Sequence, residues 1–367
     1  MTATTSEKQS INHLMAEFEA KVMAHPILKQ VRSELLEQIH APAGQAISAI
    51  VGPTGAGKST LSNHIEKEIL LENEEDMRAD PGYIPIVRLE VPAPELSRPS
   101  WGDFYKRTLT ELKEPLIEQK GTDLPEMAGR KSAKGRSVPD LRRAVENSFR
   151  YRRTRAFLVD EAQHLTRVPH GRHLKDQMET IKSIANLSRV KIILIGTYEL
   201  LDLLSLNGQS ARRTGAIHFS RYRYEVSDEL KAFQNIVGMF QSRLPLPCEP
   251  SLVDQTETMY MGTLGCVGLL KDWLSRALWR ALKEGSGKLT IAHLRASAYH
   301  TSSLKKIAEE IREGESRLAG DVECEKNIRF LLGMPQPDRN VEGGAQSAPR
   351  RTWNVGQRAP SRDKVGV

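Results

Sequence analysis

Apolar and polar residues follow two different periods in the first two thirds of the chain. Short, nearly continuous apolar runs, such as QAISAIV at 45–51 and AFLV at 156–159, are typical of buried strands. The segment after the first run instead has apolar residues four apart, at Leu61, Ile65 and Ile69, as on one face of a helix. This alternation predicts an α/β fold, in which a parallel central sheet is flanked by helices.

The alternation of strands and helices continues to about residue 219, and the chain after it has a different pattern. Further strands are predicted at 84–92, 190–196 and 216–219, and helices at 100–116 and 138–153. From residue 227 the pattern is helical, and after Met334 the chain is too poor in apolar residues to pack. We therefore predict an N-terminal helical segment at 1–40, an α/β core at 41–226, a small helical lid at 227–320 and a disordered basic tail at 335–367.

A glycine-rich loop joins the first strand to the first helix of the core. It matches the pattern G-x-x-x-x-G-K-[ST], in which glycines let backbone N–H groups turn toward the phosphates of a nucleotide. We expect Lys58 to reach the β- and γ-phosphates of ATP and Ser59 to bind Mg²⁺. The helix that follows would place its N-terminus at the phosphates. The predicted ATP-binding residues are Gly52, Pro53, Thr54, Gly55, Ala56, Gly57, Lys58, Ser59 and Thr60.

Polar residues also follow two later strands. Asp160, after the run at 156–159, is expected to hold Mg²⁺, mostly through water, and Glu161 to polarise the water that attacks ATP. Thr197, after the strand at 190–196, is expected to touch the γ-phosphate or the attacking water. A plain turn between strand and loop is the alternative for Thr197.

Two arginines, Arg212 and Arg213, precede the short apolar stretch at 216–219. Arginines at a subunit boundary can reach the γ-phosphate of a neighbouring subunit, so we predict that one of the two acts in trans as a catalytic finger. The pattern does not distinguish between them, and a solvated basic loop is the alternative.

The most basic stretch of the chain lies at 130–155, with ten Lys and Arg residues against two acids. It begins in the loop AGRKSAKGRS at 128–137, which is of a kind that follows a phosphate backbone without reading bases. We predict contact with duplex DNA here, and a solvated charged face is the alternative. The predicted DNA contacts are Arg130, Lys131, Lys134, Arg136, Arg150 and Arg152.

Composition narrows the functional classes. The chain has 367 residues and a net charge of +7, which suits a polyanionic partner without requiring one. No apolar run approaches the roughly 20 residues of a transmembrane helix, and the first ten residues lack the apolar core of a signal peptide. We therefore expect a cytoplasmic protein with no membrane association. Its three cysteines are widely spaced, which favours neither a disulfide framework nor a zinc site.

The order of these motifs resembles that of the AAA+ ATPases and, among them, the TniB/TnsC family of transposition regulators. Beyond the ATPase motifs, the resemblance includes VDEAQHL at 159–165, LIGTYEL at 194–200, the Arg-Arg pair and the F…SRLPLP segment at 233–247. It implies an ATP-dependent oligomer, a ring or a helical filament, that assembles on double-stranded DNA. The assembly would link a target-site selector of the TniQ/TnsD type to the transposase. The resemblance also implies the ATPase roles given above for the loop and the acid pair.

The predicted lid departs from this family pattern. Many AAA+ proteins carry an arginine there after a glycine-rich turn, whereas this chain has Gly268 at the corresponding position. Lys271 and Arg276 are the residues that could replace it. Without such an arginine, we expect ATP hydrolysis to be slow and regulatory.

Two other functions fit the same ATPase motifs. An initiator-like ATPase or helicase loader would bind a replicative helicase in place of a transposase. A signalling or secretion ATPase would bind protein partners and no DNA, so neutralising the basic insert would leave its function intact.

Overall fold

The protein was examined as a computed structural model that describes residues 5–41, 46–94, 99–117, 138–166, 172–205, 214–319 and 331–334. Its central sheet has five parallel strands in the order β2-β3-β4-β1-β5. The strands are β1 (Ile47–Val51), β2 (Ile86–Glu90), β3 (Ala156–Asp160), β4 (Lys191–Gly196) and β5 (Thr214–His218). The predicted parallel sheet flanked by helices is therefore confirmed.

Helices connect the strands and cover both faces of the sheet. The two helices that precede β1 and the first helix after it are α1 (Thr5–Ala20), α2 (Pro26–His40) and α3 (Lys58–Glu72). The other helices that the structure describes in the sheet region are α4 (Glu74–Ala79), α5 (Trp101–Glu111), α6 (Val138–Tyr151), α7 (Arg172–Ser188) and α8 (Leu200–Ser205), and a 3₁₀ turn spans Ala162–Thr166. Helix α5 ends at Glu111, before the predicted end at 116, because Lys113 and Leu116 take left-handed backbone angles that no α-helix accepts.

The chain after β5 is helical apart from a two-stranded pairing of β6 (Cys248–Glu249) with β7 (Leu289–Thr290). Its helices are α9 (Ser227–Arg243), α10 (Thr256–Thr263), α11 (Val267–Lys283), α12 (Ile291–Ala296) and α13 (Thr301–Leu318). Thr290 caps α12, since its hydroxyl accepts a hydrogen bond from the His293 backbone N–H at 3.4 Å. The helical pattern that begins at residue 227 does not predict the break at 297–300, which separates α12 from α13.

Two hydrophobic cores divide the N-terminal helices between them. Leu35 and Ile39 of α2 pack with the sheet, against residues such as Ile50 and Phe219. Phe18 of α1 instead packs with the helical region, and its ring centroid lies 6.3 Å from that of Phe240. The first two helices therefore stabilise different parts of the molecule.

The chain divides into two compact units, residues 1–317 and 318–367. In the second unit the structure describes only Leu318, Ala319 and residues 331–334, so the predicted tail at 335–367 lies outside the described residues. Among the helices that the structure does describe, none combines the length and apolar character needed to cross a membrane.

Candidate nucleotide-binding site

The glycine-rich loop lies at the carboxyl end of β1, between that strand and α3. Gly55 and Gly57 have φ angles of +78° and +110°, in the left-handed region that favours glycine. A Cβ atom on Gly52 would lie 2.2 Å from the Phe219 carbonyl oxygen, so only glycine fits there. Gly57 is the N-cap residue of α3 and supplies no side-chain cap. The first N–H groups of α3 are therefore available to a phosphate, as predicted from the sequence.

Lys58 turns back onto this loop. Its Nζ donates hydrogen bonds to the carbonyl oxygens of Gly52, at 3.0 Å, and Pro53, at 2.8 Å. Burial lowers the pKa of Lys58, and the nearby carboxylates of Glu161 and Asp160 oppose that shift. An ammonium has three donors, so Lys58 has capacity for a phosphate oxygen. Of the other predicted loop residues, Ala56 is buried, Thr60 is half-buried, and Thr54 and Ser59 are exposed.

Asp160 ends β3 and is almost fully buried, with 1% of its surface exposed. Its Oδ2 lies 3.0 Å from the Ser62 hydroxyl, which donates to it, and its Oδ1 accepts from the Glu161 N–H at 3.0 Å. Carboxylate and hydroxyl oxygens are ligands that Mg²⁺ prefers, so Asp160 together with the exposed Ser59 fits the ion. The nucleotide-binding motif does not include Ser62, although this residue lies one helical turn after Ser59.

Glu161 is joined to Thr197 through the side chain of Gln163. Gln163 Nε2 donates to Glu161 Oε2 at 2.6 Å, and Gln163 Oε1 accepts from the Thr197 N–H at 3.2 Å. Among the described residues, the Thr197 hydroxyl is buried without a hydrogen-bond partner. A buried hydroxyl in this state favours a ligand oxygen or a water nearby. Gln163 lies within the VDEAQHL motif, but the motif alone does not indicate a role for it.

The geometry thus brings together the carboxyl ends of three neighbouring strands, β1, β3 and β4, with a phosphate loop, an acid pair and a threonine. The sequence of the chain matches a family described as an AAA domain over residues 13–204. The chain belongs to this AAA family. AAA domains bind and hydrolyse ATP at a site of this construction.

Solved structures agree on the fold. The AAA protein is similar to the ORC1 protein of Aeropyrum pernix in complex with DNA, with a TM-score of 0.52 and 14% identity over 77% of this chain and 67% of that one. It is also similar to Cdc6p from Pyrobaculum aerophilum, with a TM-score of 0.51 and 14% identity over 77% of this chain and 69% of that one. No curated protein matches it in sequence. These similarities show the AAA+ P-loop fold.

The helical region after β5, which the sequence predicts to be a lid, touches the phosphate loop of this AAA protein through a glycine. The Gly268 N–H donates to the Gly55 carbonyl oxygen at 2.7 Å, and a Cβ atom on Gly268 would lie 2.5 Å from that oxygen. An arginine at position 268 is therefore excluded by steric contact. Lys271 donates to the Glu19 carbonyl oxygen at 2.6 Å, and Arg276 stacks over the Tyr299 ring at 4.1 Å. Both residues proposed as replacements thus have contacts away from the loop.

Helix α13 brings an acid toward the same site. Burial and the neighbouring Glu199 raise the pKa of Glu310, and the positive charge of Lys58 acts in the opposite direction. Gly314 packs on the ring of Tyr198, where a Cβ atom would lie 2.1 Å from the nearest ring carbon. Arg221 Nε donates to Glu315 Oε1 at 3.0 Å, which ties the helix to the chain after β5.

Of the predicted DNA contacts and finger residues, the structure describes Arg150 and Arg152. Arg150 is exposed, whereas Arg152 donates to Glu114 Oε1 at 3.1 Å and to the Gly82 carbonyl oxygen at 3.4 Å. The other predicted DNA contacts and both predicted finger residues lie outside the described residues. These are Arg130, Lys131, Lys134, Arg136, Arg212 and Arg213.

Proposed function

We propose that this protein is an ATP-dependent regulator of DNA transposition, of the TniB/TnsC type. It would oligomerise on double-stranded target DNA and link a TniQ/TnsD-like target selector to the transposase. The observation that carries the ATP-dependent part is the convergence of Lys58, Asp160 and Thr197 at the carboxyl edge of one sheet. The family resemblance of VDEAQHL, LIGTYEL and SRLPLP supports the transposition part.

Each residue of the site would have a distinct role. The loop from Gly52 to Thr60 holds the phosphates of ATP, with Lys58 on the β- and γ-phosphates. Ser59 and Asp160 would hold Mg²⁺, which neutralises phosphate charge when bound. Glu161 would accept a proton from the attacking water, and Thr197 would orient that water or the γ-phosphate. Arg212 or Arg213 would reach the γ-phosphate of a neighbouring subunit.

The lid geometry supports slow hydrolysis. Position 268 has no room for an arginine, and Lys271 and Arg276 are held elsewhere. None of these three positions would therefore bring a positive charge from the lid to the phosphates of ATP. Binding of ATP and assembly would matter more than turnover.

The proposed DNA contacts belong to the segment between α5 and α6, and they are supported by its basic sequence. Val138 at the start of α6 lies 3.8 Å from the Cβ position of Gly102 at the start of α5, and Arg152 pairs with Glu114 just beyond their other ends. The two helices therefore run side by side in the same direction, and the basic insert leads from the end of one to the start of the other. We propose that Lys131, Lys134 and Arg136 in this insert contact the DNA backbone, together with exposed Arg150.

Electron microscopy tests the proposal. Purified protein is mixed with random-sequence duplex DNA and either a non-hydrolysable ATP analogue or ADP. We expect rings or filaments on DNA with the analogue only, and none with Lys58→Ala. Monomers under every condition would contradict the proposal and leave a protein-partner ATPase.

A second candidate is an initiator-like ATPase or helicase loader. The similarity to an ORC1 protein solved with DNA favours it at the level of the fold. Pull-down of the assembled protein against a transposase and a replicative helicase separates the two, since each function requires one of these partners and not the other.

A further inference from the structure

The side chain of Gln163 lies at the centre of the site without a role in ATP binding assigned to it. It is 4% exposed, and it belongs to the 3₁₀ turn that directly follows the acid pair. Its amide bridges two groups that come from different strands, Glu161 after β3 and Thr197 after β4. This bridge connects the base to the part of the chain that would meet the γ-phosphate.

The orientation of the Gln163 amide is determined by its partners. The Thr197 backbone N–H can only donate, so it must face the carbonyl oxygen Oε1. The NH₂ group is then directed at the Glu161 carboxylate, which can accept. The bond to Oε2 leaves the second carboxylate oxygen of Glu161 available for a water molecule.

The chain around Gln163 is shaped to permit the bridge. A Cβ atom on Gly196 would lie 2.5 Å from Gln163 Oε1 and 3.2 Å from its backbone nitrogen, so a larger residue would displace the glutamine. Glu161 itself has a φ of +52°, a left-handed conformation that is strained in a residue other than glycine. The surrounding structure therefore holds both ends of the bridge in place.

We infer that Gln163 is a positioning residue that holds the Glu161 carboxylate in register with Thr197 for attack on ATP. The inference rests on the proposed function, because it requires Glu161 to act as the base. Thr197 would lie next to the γ-phosphate. A shift of Thr197 would therefore move the Glu161 carboxylate through two hydrogen bonds, from the Thr197 N–H to Gln163 and from Gln163 to Glu161. Gln163 touches neither nucleotide nor water in this role.

Steady-state ATPase kinetics of the full chain test the inference. We expect Gln163→Ala to lower kcat by about 10- to 100-fold, as loss of a group that orients a catalytic residue does. The affinity for a non-hydrolysable ATP analogue should change by less than about 2-fold, because the loop at 52–60 is untouched. Gly196→Ala should lower kcat in the same way, since it displaces the same side chain.

A double variant distinguishes positioning from a general structural effect. Glu161→Gln alone should lower kcat by about 100-fold or more. If Gln163 acts through Glu161, adding Gln163→Ala to Glu161→Gln should cause no further loss. The matched control is Gln241→Ala, which removes another bridging glutamine, one whose Oε1 accepts from the Leu252 N–H at 2.6 Å in the lid. It should leave kcat unchanged.

The possible failures are separable. A wild-type protein without ATPase activity would overturn the proposed function and this inference with it. An active wild type with an impaired Glu161→Gln variant and a fully active Gln163→Ala variant would overturn the inference alone. An equal loss from Gln163→Ala in both backgrounds would also overturn it, because the glutamine would then act independently of the base.

Discussion

At the scale of single residues, His25 shows how a buried polar group joins the start of α2 to the segment after β5. It is the N-cap residue of α2, and its Nδ1 accepts from the Leu28 N–H at 3.3 Å. Because Nδ1 is an acceptor, the proton of the neutral ring is on Nε2, and the Tyr222 hydroxyl donates to Nδ1 at 2.9 Å. Burial lowers the pKa of His25 to about 4 from an ordinary 6.5.

This shift predicts a pH-dependent stability. Between pH 6.5 and about 4 the unfolded chain binds a proton at His25 that the folded chain excludes, so the free energy of unfolding should fall as pH falls. The contribution is about 3 kcal/mol at most, from 1.36 kcal/mol for each unit of pKa. Chemical denaturation of His25→Asn, which keeps an N-cap acceptor, should show a shallower pH dependence than wild type. The same change at exposed His64 should leave the slope unaltered, and an unaltered slope in His25→Asn would contradict the prediction.

Residue-scale chemistry also determines how much of the site the sequence could predict. Lys58 and Asp160 follow directly from motif spacing, because parallel strands bring their carboxyl ends to one edge. Ser62 and Gln163 do not follow from it. Ser62 contacts a carboxylate 98 positions away, and Gln163 contacts a backbone group 34 positions away. The contacts of Ser62 and Gln163 depend on how separate elements pack together, which motif spacing does not give.

At the scale of elements, the sequence pattern left open the position of α13. The helical pattern after residue 227 predicts helices in this region but not which residues α13 contacts. Gly314 allows it to approach Tyr198 closely, and ion pairs with Arg221 and Asp202 secure it. The pattern likewise predicted α1 without indicating that Phe18 packs with the lid. Docking of this kind depends on contacts across the chain that no local pattern contains.

The placement of this helix predicts an effect on nucleotide affinity. Glu310 brings a carboxylate into the electrostatic environment of Lys58, where ATP would add negative phosphates. Glu310→Gln keeps the shape of the side chain and removes the charge. We expect ATP to bind several-fold more tightly, by roughly 1 kcal/mol, and the gain to shrink as salt is added. Fluorescent-nucleotide titration at two salt concentrations measures both effects.

The control for this prediction lies on the same helix. Glu309→Gln removes an exposed carboxylate one position earlier, which lies 3.9 Å from Lys305. It should leave ATP affinity unchanged. Equal affinities of Glu310→Gln and wild type at low salt would show that Glu310 does not influence the bound phosphates.

At the scale of the whole molecule, the net charge of +7 acquires meaning only through its distribution. Several basic residues of the region 138–155 are used within the fold. Arg152 pairs with Glu114, and Arg153 pairs with Asp80 and stacks over Tyr83. Under the proposed function, the charges available to DNA therefore lie mainly in the insert that precedes α6 and at exposed Arg150, and not in the two arginines that follow the helix.

This distribution predicts the salt dependence of DNA binding. The log of the affinity for duplex DNA falls as the log of the salt concentration rises, and each phosphate neutralised by the protein adds about 0.9 to the magnitude of this slope. Replacing Lys131, Lys134 and Arg136 by alanine should therefore lower that slope by about 2 to 3 when measured by fluorescence anisotropy with the ATP analogue present. Alanine at exposed Lys29, Lys231 and Arg295 removes the same charge elsewhere and should leave the slope nearly unchanged. A similar decrease in both triple variants would indicate that DNA senses the overall charge of the protein, and the insert would then have no specific role in binding.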